Sequence, residues 1–524
     1  MEESPRSNAA VRLGELLSWF EEHGGSLANI FLKDLQGEMS LSLVTGPALR
    51  KGQLVMSIPI SLCMTVESAA ISELGVVLQA HPDLMDTPDE VLALHLMVEK
   101  RQGEGSFWKE YLRTLPDDVD TPLRWSVEGA KDEFGLLDGT MVGMLSRMMR
   151  SQVEKDWEEV HLPLVEAYPE ILGGVTLQDY LWAMSSIWSR SFDYIEPLPD
   201  GSSCSRRAMV PVINAANHDP SAAGSLSEMI EFQPGEGSVP STTGDQGAAG
   251  GRLRVVAGRD YTAQEQFFIL YGPYSNAKLL YSYGFVLANN PYGGLDYWTR
   301  VPPTDEAFQW KQALLDGHPL TAAQTYDFSG TLRTGGWISP ALLATVRVAQ
   351  LTIDERPMAG NAFEGKMVSP RNEAASLGAL LAGLRLKLTK TGGRADQSGS
   401  TENNEDTSIS SLERKLERLQ QRRHREGGEG GREGEEEDGK SRVSTEGSGG
   451  GGGAAGGTAA TVTGTAAAVK SLRRRIAAVR VRLEERGVVA DAIAALEASL
   501  RELQSAGSSG VGGIASFETL DSRR

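Results

Sequence analysis

An α+β chain is what this sequence predicts, with small strands on either side of a helical block and a second region that is all helical. Three observations carry that expectation. Short apolar runs broken by Gly37, Gly46-Pro47 and Lys51-Gly52 occupy Ile30 to Ile60, the pattern of strands joined by tight turns. Similar runs return at Met209 to Ile213, Leu253 to Val256 and Gln266 to Tyr271. Between these two strand-rich regions, and again after Tyr297, apolar residues recur every three or four positions, as one face of a helix requires.

In chain order, Val11, Leu13, Leu16, Leu17 and Phe20 mark an N-terminal helix within 1–25 that Gly24-Gly25 ends. The strand-bearing region spans 26–297, with its helical insertion over about 90–200: Val91 to Lys100, Val142 to Val165 and Leu177 to Trp188 have helical spacing. Ser221 to Gly251 is rich in Gly, Ser and Thr and reads as an exposed insertion around one short strand, Met229-Ile230-Glu231-Phe232. A helical region over 298–505 follows, clearest at Phe308 to Leu315, Pro340 to Ile353 and Asn372 to Leu388. Within it, Leu412, Leu416 and Leu419 share a helical face, as do Leu472, Ile476, Val479 and Leu483, then Ala492, Leu496, Leu500 and Leu503. Each stripe is short for a coiled coil, which favours helices of one bundle. Glu426 to Gly457 is mostly Gly, Glu, Asp, Ser and Ala and cannot bury enough surface to offset chain ordering. An insertion over about 426–460 and a tail over 506–524 are therefore expected to be disordered.

Composition excludes several classes. At 524 residues with 40% apolar content, the chain has room for two or three domains with sizeable cores. No window holds about eighteen uninterrupted apolar residues, so no membrane span is expected. Met1-Glu2-Glu3-Ser4-Pro5 lacks the apolar core of a secretory signal and the arginine-rich, acid-poor character of a transit peptide. Cys63 and Cys204 are too few for a disulfide framework or a four-cysteine zinc site, and point to a reducing compartment. A net charge of −19 disfavours nonspecific nucleic-acid binding. No metal, membrane or nucleic acid is expected as a partner, and the expected location is cytoplasmic or nuclear, or plastid if an N-terminal segment is missing.

Two apolar runs with polar tips stand out: Ala208-Met209-Val210-Pro211-Val212-Ile213-Asn214-Ala215-Ala216-Asn217-His218, and Phe268-Ile269-Leu270-Tyr271-Gly272. Three more stretches accompany them: Ser106-Phe107-Trp108-Lys109-Glu110-Tyr111-Leu112-Arg113-Thr114-Leu115-Pro116 with Asp120-Thr121-Pro122-Leu123; Gly272-Pro273-Tyr274-Ser275-Asn276-Ala277-Lys278-Leu279-Leu280 running into Tyr283-Gly284-Phe285-Val286; and Leu43 to Pro59. Together they resemble the SET-domain protein methyltransferases, in the subgroup of the Rubisco large-subunit lysine methyltransferases and their actin-histidine and ribosomal-protein relatives. The resemblance runs from about Val11 to Leu388, with a weaker echo from Ser471 to Leu503. It implies a SET domain of small sheets and a pseudoknot, with an inserted helical subdomain. An all-α substrate-binding domain would follow, its long helix entered at Ser369-Pro370-Arg371-Asn372-Glu373 and closed by Ala478 to Ala492. Phe107, Trp108, Tyr111 and Leu112 read as core and helix-packing residues, and Ser275-Asn276 as a cap for the helix beginning near Ala277.

The resemblance also implies a cofactor, S-adenosyl-L-methionine, and roles for particular residues. Asn217 and His218 match the pair that holds it, and Arg190 matches the arginine that meets its carboxylate, a task suited to a bidentate guanidinium. Met39 and Leu41 would offer backbone groups, and Tyr283 lies with the cofactor and the channel. The sequence departs from the family in two places. Ser40-Leu41-Ser42 stands where the contact strand has Gly-x-Gly, and Asn214 stands where an acid is usual. Tyr271 matches the channel tyrosine and is the catalytic candidate, with Phe192 and Tyr283 as channel walls. Phe192 occupies a position that is aromatic in the lysine branch and an amide in the histidine branch. The expectation is therefore a protein-lysine N-methyltransferase acting on a folded non-histone protein. A SET-like scaffold with little or no turnover and a protein-histidine methyltransferase are the alternatives.

Overall fold

The computed structural model of the chain describes residues 5–34, 41–125, 133–198, 200–222, 226–235, 251–322, 331–391, 409–421 and 455–509. Two compact units divide it, one comprising 1–125 and 145–292 and the other 126–144 and 293–524. The low-complexity residues 426–454 and the tail residues 510–524 lie outside the described residues, as do Met39 and Ser40.

The first unit is built from several small sheets. Leu54–Pro59 pairs with Ser26–Leu27 on one side and Arg252–Val256 on the other, and Ile230–Gln233 completes a four-stranded sheet. Ile30–Asp34 and Leu41–Thr45 pair antiparallel, while Ser203–Met209 runs between Met64–Thr65 and Ser191–Pro197. Their apolar faces meet in one core in which Phe20, Met56, Ile58, Leu253 and Phe267 are fully buried. Helix Pro88–Gln102 packs against helix Leu177–Arg190, so the helical block lies between strand segments in sequence as expected. The second helix starts at a capping box: the Thr176 hydroxyl accepts from Asp179 N–H, and the Asp179 carboxylate accepts from Thr176 N–H. This fixed start sets its last residue, Arg190, at the edge of the sheet.

Three local readings change. Met209 to Ile213 is not a strand: the paired strand is Ser203–Met209, and the apolar run that follows turns. Ile213 N–H donates to the Pro211 carbonyl at 2.8 Å across Val212, which sits at φ 69 and ψ −52. That is a γ-turn of the rarer positive-φ kind, strained for a β-branched residue and held because Val212 is buried on all sides. Asn276 does not cap its helix; Ser275 does, accepting from Lys278 N–H, while the Asn276 amide exchanges hydrogen bonds with the backbone of Leu287 at 2.8 and 3.0 Å. Phe107 is 41% exposed, placed edge-on to Trp19 and His23, whereas Trp108 and Tyr111 are buried as expected.

Gly284 stops the π-helical turn Leu279–Tyr283 at φ +81, and a Cβ there would collide with the Asp120 carbonyl. Gly284→Ala combines left-handed strain with a clash against backbone that cannot swing away, so it is expected to destabilise the first unit by about 2–4 kcal/mol. Comparing denaturant midpoints with a neighbouring surface Ala substitution checks this; equal midpoints would contradict it.

The second unit is helical around one small three-stranded sheet, Gly294–Leu295, Leu332–Arg333 and Trp337–Ile338. Helices Pro340–Ala349, Pro370–Thr391 and Ala455–Ser509 share a core of Leu342, Val346, Leu377, Leu384, Val488, Ala492 and Leu496. A bidentate ion pair between Arg347 and Glu373, at 2.7 and 2.8 Å and almost fully buried, ties the first two together. The last helix is 55 residues long, so Ala478 to Ala492 is its middle rather than a separate element. It also overlaps the end of the low-complexity stretch and the start of the tail.

Candidate active site

Two segments far apart in sequence meet in the first unit. Asn217–His218 pairs in parallel with Phe268–Ile269, putting Asn217 beside Phe268 and His218 beside Ile269. The pairing is extended by a side chain. Tyr271 N–H donates to His218 Nδ1 at 3.1 Å, across 53 residues of chain. Nδ1 must carry a lone pair to accept, so the imidazole is neutral with its proton on Nε2. Burial supports the same state, lowering the His218 pKa to about 4.

Tyr271 is placed by both ends. Its amide is held by His218, and its hydroxyl donates to the Ala216 carbonyl at 3.1 Å. Its ring stacks on Tyr283 with centroids 4.7 Å apart; His218 lies at 5.1 Å and Phe285 at 6.4 Å. Tyr274 in turn stacks on Tyr283 at 6.2 Å. Burial pushes the Tyr271 phenol up to about 12, with the nearby Arg190 guanidinium opposing the shift. The phenol therefore stays protonated near neutrality and cannot serve as a general base.

Arg190 ends helix Leu177–Arg190 and lies close enough to Tyr111 and Tyr271 to influence both. Its Nε is buried without a hydrogen-bond partner, and among the described residues no carboxylate pairs with it. Asn214 Nδ2 donates to the Tyr111 hydroxyl at 3.0 Å, bringing that phenol into the site. Tyr111 is thus more than a core residue, and nothing in the local pattern of its helix signals this. Phe192 lies opposite Ala208 on the strand pair that leads into Asn214, half-buried against the core.

The serine at the second glycine position has acquired partners. Ser42 is fully buried, and its hydroxyl accepts from Asn217 Nδ2 at 2.9 Å and from Gln266 Nε2 at 3.1 Å. Asn217 Nδ2 also lies 3.4 Å from the Leu41 carbonyl. A glycine could make none of the side-chain bonds, so Ser42 joins the hairpin to both site strands. Of the residues expected at the site, Leu41, Asn214, Asn217, His218, Arg190, Tyr271 and Tyr283 form one connected set. Met39 falls outside the described residues. Gln266, Ser42, Tyr111 and Phe285 are additions.

A second buried histidine, His95, is also held near a pKa of about 4 by burial. An unfolded histidine titrates near about 6.5. The neutral forms thus support folding fully above about 6.5, and that support is lost as the pH falls toward about 4, because the unfolded chain then binds protons the fold does not. Denaturant unfolding at pH 7 and 4.5 should show a loss of about 2–3 kcal/mol from each of the two histidines. His95→Gln should flatten the slope; an unchanged slope would contradict it.

Among the described residues no group of three or more His, Cys, Asp or Glu side chains is placed to hold a metal, and no helix is long and apolar enough to cross a membrane.

Comparison with known proteins agrees with this architecture. The Rubisco LSMT substrate-binding family matches residues 302–489. Actin-histidine N-methyltransferases from Canis lupus familiaris and Homo sapiens are each 28% identical, over 354 and 348 residues, covering 65% of this chain and 53% of theirs. The Xenopus tropicalis protein of the same name is 27% identical over 346 residues. The chain spans about half the length of these curated relatives. A crystal structure of the SET domain of LSMT bound to lysine and AdoHcy superposes with a TM-score of 0.63 at 18% identity, covering 95% of this chain and 93% of that one. A structure of Rubisco LSMT bound to AdoMet gives 0.59, also at 18%, covering 96% and 97%. The fold is that of the SET domain of LSMT, and the chain is similar to the Rubisco LSMT substrate-binding family over residues 302–489 and to actin-histidine N-methyltransferases over 65% of its length.

Proposed function

We propose that this chain is an S-adenosylmethionine-dependent protein N-methyltransferase that modifies a lysine of a folded, non-histone protein. One observation carries the reading: Asn217-His218 and Tyr271 converge on one aromatic-walled site beside an arginine, Arg190, whose buried Nε has no hydrogen-bond partner. A buried guanidinium N–H without an acceptor is costly, and a ligand carboxylate would relieve that cost. Arg190 would therefore hold the amino-acid carboxylate of the cofactor, with Asn217, His218 and the Leu41 backbone holding the rest. When bound, S-adenosylmethionine supplies an electrophilic methyl group on a sulfonium sulfur.

The chain's own residues would do the positioning. Methyl transfer is an in-line displacement, so fixing the attacking nitrogen on axis supplies much of the rate. Tyr271, with its ring clamped and its hydroxyl anchored on Ala216, gives a rigid oxygen for that purpose. Lysine has a pKa near about 10.4, and neutrality at pH 7 costs about 4–5 kcal/mol in water. Enclosure by Tyr271, Tyr283 and Phe285 would lower that cost by desolvating the ammonium, so the nitrogen can lose its proton to solvent without a protein base.

The names of the relatives favour a second reading, histidine as the target. Phe192 supports lysine, because an aromatic ring cannot hydrogen-bond an imidazole as an amide can. Incubating the protein with a cell extract and isotope-labelled S-adenosylmethionine, then mapping the label by mass spectrometry, tests both. Label on lysine is expected, label on histidine would replace the lysine reading, and no labelled protein would overturn the enzymatic one.

A further inference from the structure

A cavity of about 450 Å³ opens in the first unit outside the aromatic site, lined among others by Asp89, Glu90, Asp156, Met184, Trp188 and Arg207. We propose that it receives the protonated side chain of an arginine or lysine flanking the target residue on the protein substrate. The assignment of the occupant rests on the methyltransferase reading; the chemistry of the cavity does not.

Three carboxylates face one guanidinium. Asp89 is already engaged, ion-paired to Arg207 and accepting from Trp188 Nε1 at 3.1 Å. Glu90 lies 3.1 Å from His161 Nε2, and Asp156 accepts from Gln152 Nε2 at 2.7 Å. Among the described residues no lysine or arginine pairs with either of these two. A buried phenol nearby is orphaned. The Tyr180 hydroxyl is fully buried, has no hydrogen-bond partner, and lies in the field of Glu90, Asp156 and Asp89 together. An ammonium or guanidinium entering the cavity can donate to the free carboxylate lone pairs and offset the negative field in which that phenol lies. Trp188 and Met184 supply an apolar wall for an alkyl stem, and the indole face adds attraction for the cation.

Trp188 stands two residues before Arg190 on the same helix and packs on Tyr281 at 5.4 Å, two residues before Tyr283. Arg207 precedes Ala208, which pairs with Phe192. The elements that carry the aromatic site therefore also carry the cavity.

Ligand-observed NMR titration of the full chain with butylguanidinium, butylammonium and neutral 1-butanol tests the cavity. Both cations should bind the wild type and Tyr271→Phe equally, with the tighter one naming the preferred side chain. Asp156→Asn and Glu90→Gln, both isosteric, should each weaken binding at least about tenfold. Butanol binding as well as the cations, or both variants binding like wild type, overturns the site. In the labelled-extract experiment, Asp156→Asn should depress labelling at targets with a nearby basic residue. Wild-type labelling unchanged by Asp156→Asn at every modified target overturns the cavity's role and leaves the methyltransferase reading standing. Intact cation binding with no labelling by the wild type supports the cation site but overturns its assignment to a methylated substrate.

Discussion

Tyr271→Phe should lower turnover about a hundredfold or more while leaving affinity for S-adenosylmethionine within about twofold. The substitution removes one oxygen and keeps the ring, so the stack on Tyr283 and the amide bond to His218 survive. What disappears is the hydroxyl that donates to the Ala216 carbonyl and presents lone pairs to the incoming nitrogen. An effect confined to kcat is the signature of a group that acts only as the reaction proceeds. Calorimetric titration with the cofactor and single-turnover methyl transfer measure the two quantities separately. Equal losses in both would place Tyr271 in cofactor binding and contradict its assigned part.

Arg190→Met should act in the opposite way. Methionine approximates the length of the arginine stem without its charge, so the packing is largely kept. Cofactor affinity should fall at least about thirtyfold, corresponding to the roughly 2 kcal/mol or more typical of a lost buried charge pair. Stability without cofactor should not fall, because the Arg190 Nε is buried with no partner to lose. The thermal shift that S-adenosylmethionine induces in the wild type should therefore vanish in a variant whose own melting temperature is unchanged or higher. A variant that melts lower but still binds the cofactor would make Arg190 a structural residue.

Ser42 shows how far local rules reach. Read by position alone, a serine in place of glycine counts against cofactor binding, since a Cβ crowds the approach to the main chain. In the fold its hydroxyl joins Asn217 and Gln266, two residues from different segments. Tyr111 is similar: its helical context marks it as core, and only the fold puts its phenol under Asn214 and near Arg190. Val212 went the other way. Its apolar neighbours suggest a strand, but Pro211 has no N–H to give a ladder and the chain turns at positive φ instead.

From its residues alone, the chain declares where helices and strands lie, which side chains are apolar, and which polar tips end the two critical runs. Those properties arise from periodicity and propensity over neighbouring positions, and short-range physics is written directly in order of residues. The tertiary structure decided the rest: that Tyr271 N–H rests on an imidazole 53 positions away, that Arg190 keeps a buried nitrogen unpartnered, and that three carboxylates surround one cavity. Hydrogen-bond completion and desolvation depend on what surrounds a group in space, so they come into being only when distant segments pack.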